Sequence, residues 1–289
     1  MKLTIKEMLN FWWNGVIKDK KIWLLGVVLT VLTLLNFYLV YHIIRKISLE
    51  QPFWIEAILE IFLLLLHTFW VSVFYSTLAY GVIHHRDQFI SYYKQLKFMD
   101  FWQRIAPASG VVVAFLVSGA IWGGIVLLGM ALGGVDFNTE GIHIANPIIF
   151  AIFGGLALIY LAIYLYVLYG KSGEALSSDS FKKAFFTQLS AFYDVKYLKR
   201  SLNAHYIVNT LVVFALFILI GLLIGIISGG IRFILLLTIS NPLVVLFAGM
   251  AVEVIAQTFG NLILTSLGTI GASFAHLSTL EGEGDSFSN

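Results

Sequence analysis

Residues His205–Ser228 read HYIVNTLVVFALFILIGLLIGIIS, a run with no Asp, Glu, Lys or Arg. A helix over this stretch is about 36 Å long at 1.5 Å per residue, enough to cross a hydrocarbon layer of roughly 30 Å. Five further segments share its character: Ile22–Ile44, Phe53–Ile83, Ile105–Gly133, Pro147–Gly170 and Pro242–Gly268. Composition agrees. The 289 residues are 59% apolar and only 12% charged, with mean hydropathy +0.90, whereas soluble domains carry about 25% charged residues. So low a charge density does not cover a water-soluble surface. The sequence therefore predicts an all-α integral membrane protein with six transmembrane helices in a single membrane domain.

Working outward from the spans, Ile231–Ser240 is apolar but too short to cross, and reads as an interfacial or re-entrant piece. The first span is too long for a signal-peptide core and lacks a small-x-small cleavage site, so it is expected to remain in the chain. Orientation follows from the basic residues. The N-terminal segment, the second loop and the fourth loop hold 15 of the 18 Lys and Arg; the other side has Arg45, Lys46 and Arg232. The bias of Lys and Arg toward the cytoplasm predicts a multi-pass protein of the cell (inner) membrane with both termini cytoplasmic. A net charge of +2 gives no reason to expect a nucleic-acid partner. With no cysteine, disulfides and thiolate chemistry are excluded.

The chain also reads as a repeat. Pro52, Pro147 and Pro242 are 95 residues apart, each at the start of an even-numbered span; Asn146 and Asn241 precede two of them as candidate caps. The second loop, DQFISYYKQLKFMD (Asp87–Asp100), matches the fourth, DSFKKAFFTQLSAFYD (Asp179–Asp194), with two single-residue insertions. The next span then ends in a glycine pair, Gly133-Gly134 or Gly229-Gly230. KEMLNFWWNGVIKDKK is the more diverged first copy. The reading is three parallel two-helix repeats, at approximately 1–86, 87–178 and 179–268, with 269–289 as a cytoplasmic acidic tail. Each repeat is expected to start with a cytoplasmic amphipathic helix in the headgroup layer, its apolar face down. Phe181, Phe185, Leu189 and Phe192 mark that face in the third copy. Trp12, Trp13, Trp23, Trp54 and Trp102 fall near span ends, where aromatic belts form.

In layout and in its repeated connectors the chain resembles hydrophobic six-span prokaryotic proteins like the membrane domain attached to some glycerophosphodiester phosphodiesterases; this resemblance carries no catalytic residue across. The topology also resembles exporter-type ABC permeases, which have an interfacial N-terminal helix, six spans and short inner-loop helices that touch an ATPase. Mitochondrial carriers have three two-span repeats too, but their proline motif opens no even span, and PFWIE, PIIFA and PLVVL lack its acid–base pattern.

Ionisable groups inside a membrane are costly and are default functional candidates. Glu253 sits about 17 Å into the sixth span, with Gln257 and Asn261 at four-residue steps on one stripe. It is expected to face the protein interior or a cavity, with His67 as the nearest plausible partner; its role is either to bind a proton, cation or substrate, or to join helices by hydrogen bonds. Glu56, Glu60 and His67 share a face of the second span, suited to a proton relay or to an outer vestibule beside one core histidine. His84, His85 and Arg86 suit contact with anionic lipid better than a metal, because no third ligand has the right spacing. Tyr169-Gly170-Lys171-Ser172 ends like a phosphate loop but lacks its first glycine and preceding strand, leaving Gly170 as a helix stop. Gly119, Gly123, Gly124, Gly129 and Gly133, and Gly221, Gly225 and Gly229, have small-xxx-small spacing, read as close helix packing, within the bundle first and between subunits as the alternative.

No cluster joins a nucleophile, a base and oxyanion donors, so no enzyme activity and no cofactor are expected. Six spans, the polar stripe and the amphipathic connectors suit a transport or permease-type membrane subunit working with a protein partner, on the cytoplasmic face or within the membrane. The alternative is a scaffold or accessory subunit of a larger membrane complex, with no transport of its own.

Overall fold

The computed structural model describes residues 4–138 and 141–284. Six helices are long and apolar enough to cross a membrane: α2 (Lys20–Ser48), α3 (Trp54–His84), α6 (Ile105–Gly133), α7 (Pro147–Leu176), α10 (Ala204–Thr238) and α11 (Pro242–Gly284). They form three hairpins, α2–α3, α6–α7 and α10–α11. Before each hairpin lies short helical structure: α1 (Ile5–Asn10) running into a π-helical stretch Phe11–Ile17; α4 (Phe89–Gln95) and α5 (Phe98–Trp102); α8 (Phe181–Leu189) and α9 (Val195–Ser201). We call the end of the bundle bearing these pieces the connector end and the opposite one the turn end.

The ends of the elements have local causes. Thr4 accepts from the Glu7 N–H and caps α1, Asp19 caps α2 through the Lys21 N–H, Ser180 caps α8 through Lys183, and Asn203 caps α10 through Tyr206. Gly134, at φ 59, closes α6 in the left-handed conformation that glycine adopts without a Cβ clash. The chain then returns through a two-stranded hairpin, β1 (Val135–Asn138) and β2 (Gly141–Ile144).

Several expectations give way here. The Ile231–Ser240 segment is not re-entrant: α10 runs unbroken through Gly229 and Gly230 to Thr238. Inside hydrocarbon a backbone group has no water to turn to, and a continuous helix satisfies all of them. Gly170 does not stop α7, which continues to Leu176. The acidic tail is not a tail over residues 269–284. They extend α11, and Ile270, Ala272, Phe274 and Ala275 are among the most buried side chains in the chain. Pro52 lies in the turn before α3 rather than in its first turn, and the Asn146 side chain makes no cap bond.

The core gathers at the connector end. Phe74, Leu78 and Val82 of α3, Val111 of α6, Val213 of α10 and Leu267 and Ile270 of α11 meet there. The N-terminal segment belongs to this core: Met8, Phe11 and Val16 are buried, and Trp12 donates its indole N–H toward the Ile263 carbonyl and the Ser266 hydroxyl. Tyr93 of α4 is fully buried. In α8, Ala184 and Gln188 are buried while Phe181 and Phe186 stay exposed. Toward the turn end the hairpins present apolar side chains outward, as Ile58, Leu127, Leu158 and Leu222 do.

Candidate functional site

Glu253 does not face the interior. It lies on the outer flank of the α10–α11 hairpin, where its carboxylate accepts from Arg232 Nη1 at 2.9 Å and from Gln257 Nε2 at 2.8 Å. The two charged side chains are 39% and 51% exposed, and Gln257 and Asn261 are exposed beside them. The stripe is real, but it points outward. Its partner is Arg232, not His67. The missed signal was arithmetic: in an antiparallel hairpin turning near residue 240, positions 232 and 253 lie close enough for two long side chains to meet.

The depth of this pair follows from packing. Phe259 fills the space over Gly26, where a Cβ would come within 2.3 Å of its ring. Gly26 is four residues from the start of the Ile22–Ile44 run, which is about 33 Å long, and Glu253 is six residues further toward the turn end. With Ile22–Ile44 taken as the stretch within hydrocarbon, it lies roughly 15 Å into the layer, close to its middle.

The three residues of the second span do not form a relay. Glu56 pairs with Lys46 across the α2–α3 turn, and neither Glu60 nor His67 is hydrogen-bonded to a side chain among the described residues. Most of the glycines do not take the packing within the bundle that is the first reading of their spacing. A Cβ at Gly119, Gly123, Gly124, Gly221, Gly225 or Gly229 would meet nothing within 4 Å; only Gly129 and Gly133 pack, against Phe153 and Phe150. At 100° per residue, Gly221, Gly225, Gly229 and Arg232 fall within about 80° of one another, so the open glycine ridge runs up to the ion pair.

The connector end holds a charged network that sequence reasoning missed. The Lys171 ammonium, 8% exposed, lies 2.8 Å from Asp194 and 3.2 Å from Glu174, over the Tyr197 ring. His276 Nδ1 is 3.7 Å from Glu174 and its ring stacks on Tyr197. Burial works against ionisation of Asp194, but Lys171, the Tyr197 N–H and Arg200 hold its carboxyl below the usual range; burial pushes the Tyr197 phenol up. The Tyr206 hydroxyl bridges one turn of α7, accepting from the Gly170 N–H and donating to the Tyr166 carbonyl. A side chain at Gly170 has no room: a Cβ would sit 2.3 Å from the Tyr197 hydroxyl and 2.8 Å from the Tyr206 ring. The signal in the sequence was a lysine just beyond an apolar run, with the repeated Asp194 at the end of the following connector.

Two arginines complete this end. Arg86 pairs bidentately with Glu7, at 2.8 and 2.9 Å, and lies over Phe274. It ties the N-terminal helix to α11 rather than reaching for lipid, while His85 stacks on Tyr92. Arg104 is buried, donates to Ser76 Oγ and to the Leu176 and Ser178 carbonyls, and stacks on Tyr80. Desolvation lowers its pKa, an effect opposed by Asp179.

No protein-family model, no curated protein and no solved structure matches the chain.

Proposed function

We propose that the chain is a non-enzymatic subunit of a larger membrane complex, held to its partner within the membrane plane by the α10–α11 face. The observation that carries this reading is the Arg232–Glu253–Gln257 cluster, outward-facing near mid-depth. On insertion scales each charge at a helix centre costs about 2.5–3.5 kcal/mol. Mutual pairing recovers part of that, and cover by a second polypeptide with polar groups of its own recovers more. The open Gly221, Gly225 and Gly229 ridge beside the pair lets another helix approach closely.

Among the two roles suggested by the sequence, the scaffold or accessory role fits this geometry better than a path through the six helices. Side chains fill the helix contacts where such a path would run: Phe259 over Gly26, Ile224 against Gly260 and Phe217 against Gly268. A transport role has one form consistent with the polar stripe, in which Glu253, Gln257 and Asn261 line a path between this chain and its partner. The reading further takes the connector end as cytoplasmic, from the 14 Lys and Arg among its described residues, and the three connector-plus-hairpin units as parallel repeats.

The test is native electrophoresis of gently solubilised membranes, comparing wild type with Arg232→Leu/Glu253→Leu. Partnering expects a wild-type species well above the mass of one chain, and loss of that species in the double variant. A wild-type chain that migrates alone, with the leucine variant equally or better expressed, overturns the reading.

A further inference from the structure

Two cavities flank the α4–α5 segment and share Leu96 as a wall. The first is a groove of about 460 Å³ between α2 and α3, lined by Leu24, Val28, Trp70, Val73 and Phe101, with Lys21 at its connector end. Leu24 and Val28 are the first turns of the Ile22–Ile44 run, so the groove opens at the depth where lipid chains begin. The second, also about 460 Å³, is polar and lined by Tyr80, Tyr92, Gln95, Asp100, Arg104 and Asp179. Arg104 immediately precedes α6 and so stands at the headgroup level of the same leaflet.

The chemistry of the polar cavity is specific. Arg104 Nε and Nη2 are taken by Ser76 and two carbonyls; Nη1 has no hydrogen bond among the described residues. No carboxylate lies within ion-pair distance of this buried guanidinium among those residues, so its charge has no protein counter-ion in contact. Asp179, on the cavity wall, is exposed. A cation that its carboxylate neighbour Asp179 reaches only across a small space, with no ion pair between them, matches a ligand that carries both signs. Trp70 and Trp102 meet edge to face at 6.0 Å, the type of ring favoured at a membrane–water boundary.

We propose that the two cavities are the two parts of one phospholipid site: an acyl chain in the α2–α3 groove and, beyond Leu96, a headgroup with its phosphate on Arg104 and its ammonium on Asp179. The occupant is thus a zwitterionic, amine-bearing phospholipid such as phosphatidylethanolamine. The site uses helices other than α10 and α11, and stands independently of the partner face.

Delipidated full-length protein is titrated with phosphatidylethanolamine or with phosphatidylglycerol of the same chains and read by native mass spectrometry. The site predicts one tightly held phosphatidylethanolamine per chain, bound at least tenfold better than the anionic lipid. Asp179→Asn changes an exposed residue and leaves the fold intact; it is expected to erase that preference, a change of about tenfold for one charge-assisted contact. Val28→Trp fills the groove from its open side and is expected to weaken both lipids. Excess free phosphoethanolamine is expected to leave the lipid in place. Equal or better binding of phosphatidylglycerol, an unchanged preference in Asp179→Asn, undiminished binding in Val28→Trp, or displacement by free phosphoethanolamine each overturns the proposal; the last reassigns the polar cavity to a soluble zwitterion.

Discussion

Replacing Lys171 by methionine removes the cation from a network of two carboxylates and a histidine. Its ammonium is 2.8 Å from Asp194 and 3.2 Å from Glu174, and its side chain is 8% exposed. Breaking a fully buried pair costs about 3–5 kcal/mol, while exposed pairs contribute at most about 1 kcal/mol. Asp194 and Glu174 are 27% and 29% exposed, so each regains some water once the cation is gone. The expected loss for Lys171→Met is therefore intermediate, about 2–3 kcal/mol. Asp194→Asn leaves Lys171 with Glu174 and keeps an acceptor for the Tyr197 N–H, so about 1–2 kcal/mol is expected. The double variant should fall short of the sum by about 1–2 kcal/mol, the coupling of the pair. Unfolding in mixed micelles, titrated with sodium dodecyl sulfate and followed by tryptophan fluorescence, measures all three. The sign with pH follows from the lowered Asp194 carboxyl: its contribution is present above the ordinary carboxylate pKa of about 3.9 and is lost as pH falls through the lower folded value. Wild type should thus lose more stability than Asp194→Asn on acidification from neutral pH. A Lys171→Met variant within about 0.5 kcal/mol of wild type, or strictly additive losses, refutes the network as a stabilising element.

Other outcomes follow from the same structure. A reporter fused at Asn289 or within Ser178–Ser180 should report cytoplasm and one at Asn138 the outside; a cytoplasmic signal at Asn138 refutes the six-span orientation. Gly173→Val should prevent recovery of folded protein by size-exclusion chromatography, because a Cβ there already meets the Ala272 backbone at 2.7 Å, while Gly225→Val, in open space, should leave the single chain folded and weaken only partner assembly. Glu253→Gln keeps a hydrogen-bonding group for Arg232 and should retain more of the assembled species on native gels than Glu253→Leu; equal behaviour of the two would remove the carboxylate from the interface.

The spans were legible because hydrocarbon imposes a length and a composition that no soluble element shares. Ile105–Gly133 is the same in sequence and structure, and the other starts agree within two residues. The connectors were harder, for a physical reason. A periodic apolar face shows that something covers it, but not whether that is lipid or protein. Phe181, on the face read as apolar, is exposed, while Ala184, outside that face, packs against α6, so closely that a Cβ on Gly110 would lie 3.1 Å from its methyl. Spacing of glycines has the same ambiguity. Gly221, Gly225 and Gly229 look like a packing seam and meet nothing, whereas Gly173 and Gly271, which no motif singled out, sit under a backbone and under the Tyr169 hydroxyl. Glu253 was legible as an unusual residue, but its direction was not, since a single helix carries no information about which flank its neighbours occupy.

The concentration of packing at one end has a cause in the solvent. Within hydrocarbon, helices gain little by burying apolar side chains against each other, because lipid tails are equally apolar; cohesion there must come from close contact and from polar pairs. At the connector end water returns, and burial of Phe89, Tyr93, Ile270 and Phe274 regains its usual value of about 25 cal/mol per Å². The same return of water lets Lys171, Arg86 and Arg104 keep their charges near carboxylates and carbonyls without the full cost of mid-membrane burial. The chain thus fixes its hairpins where the hydrophobic effect operates and leaves their turn-end halves, with the Arg232–Glu253 pair and the open glycine ridge, available for contacts outside the chain. On the proposed reading, a partner at that face would meet a preformed surface anchored at the connector end, and its affinity would depend on polar cover and close approach more than on apolar area.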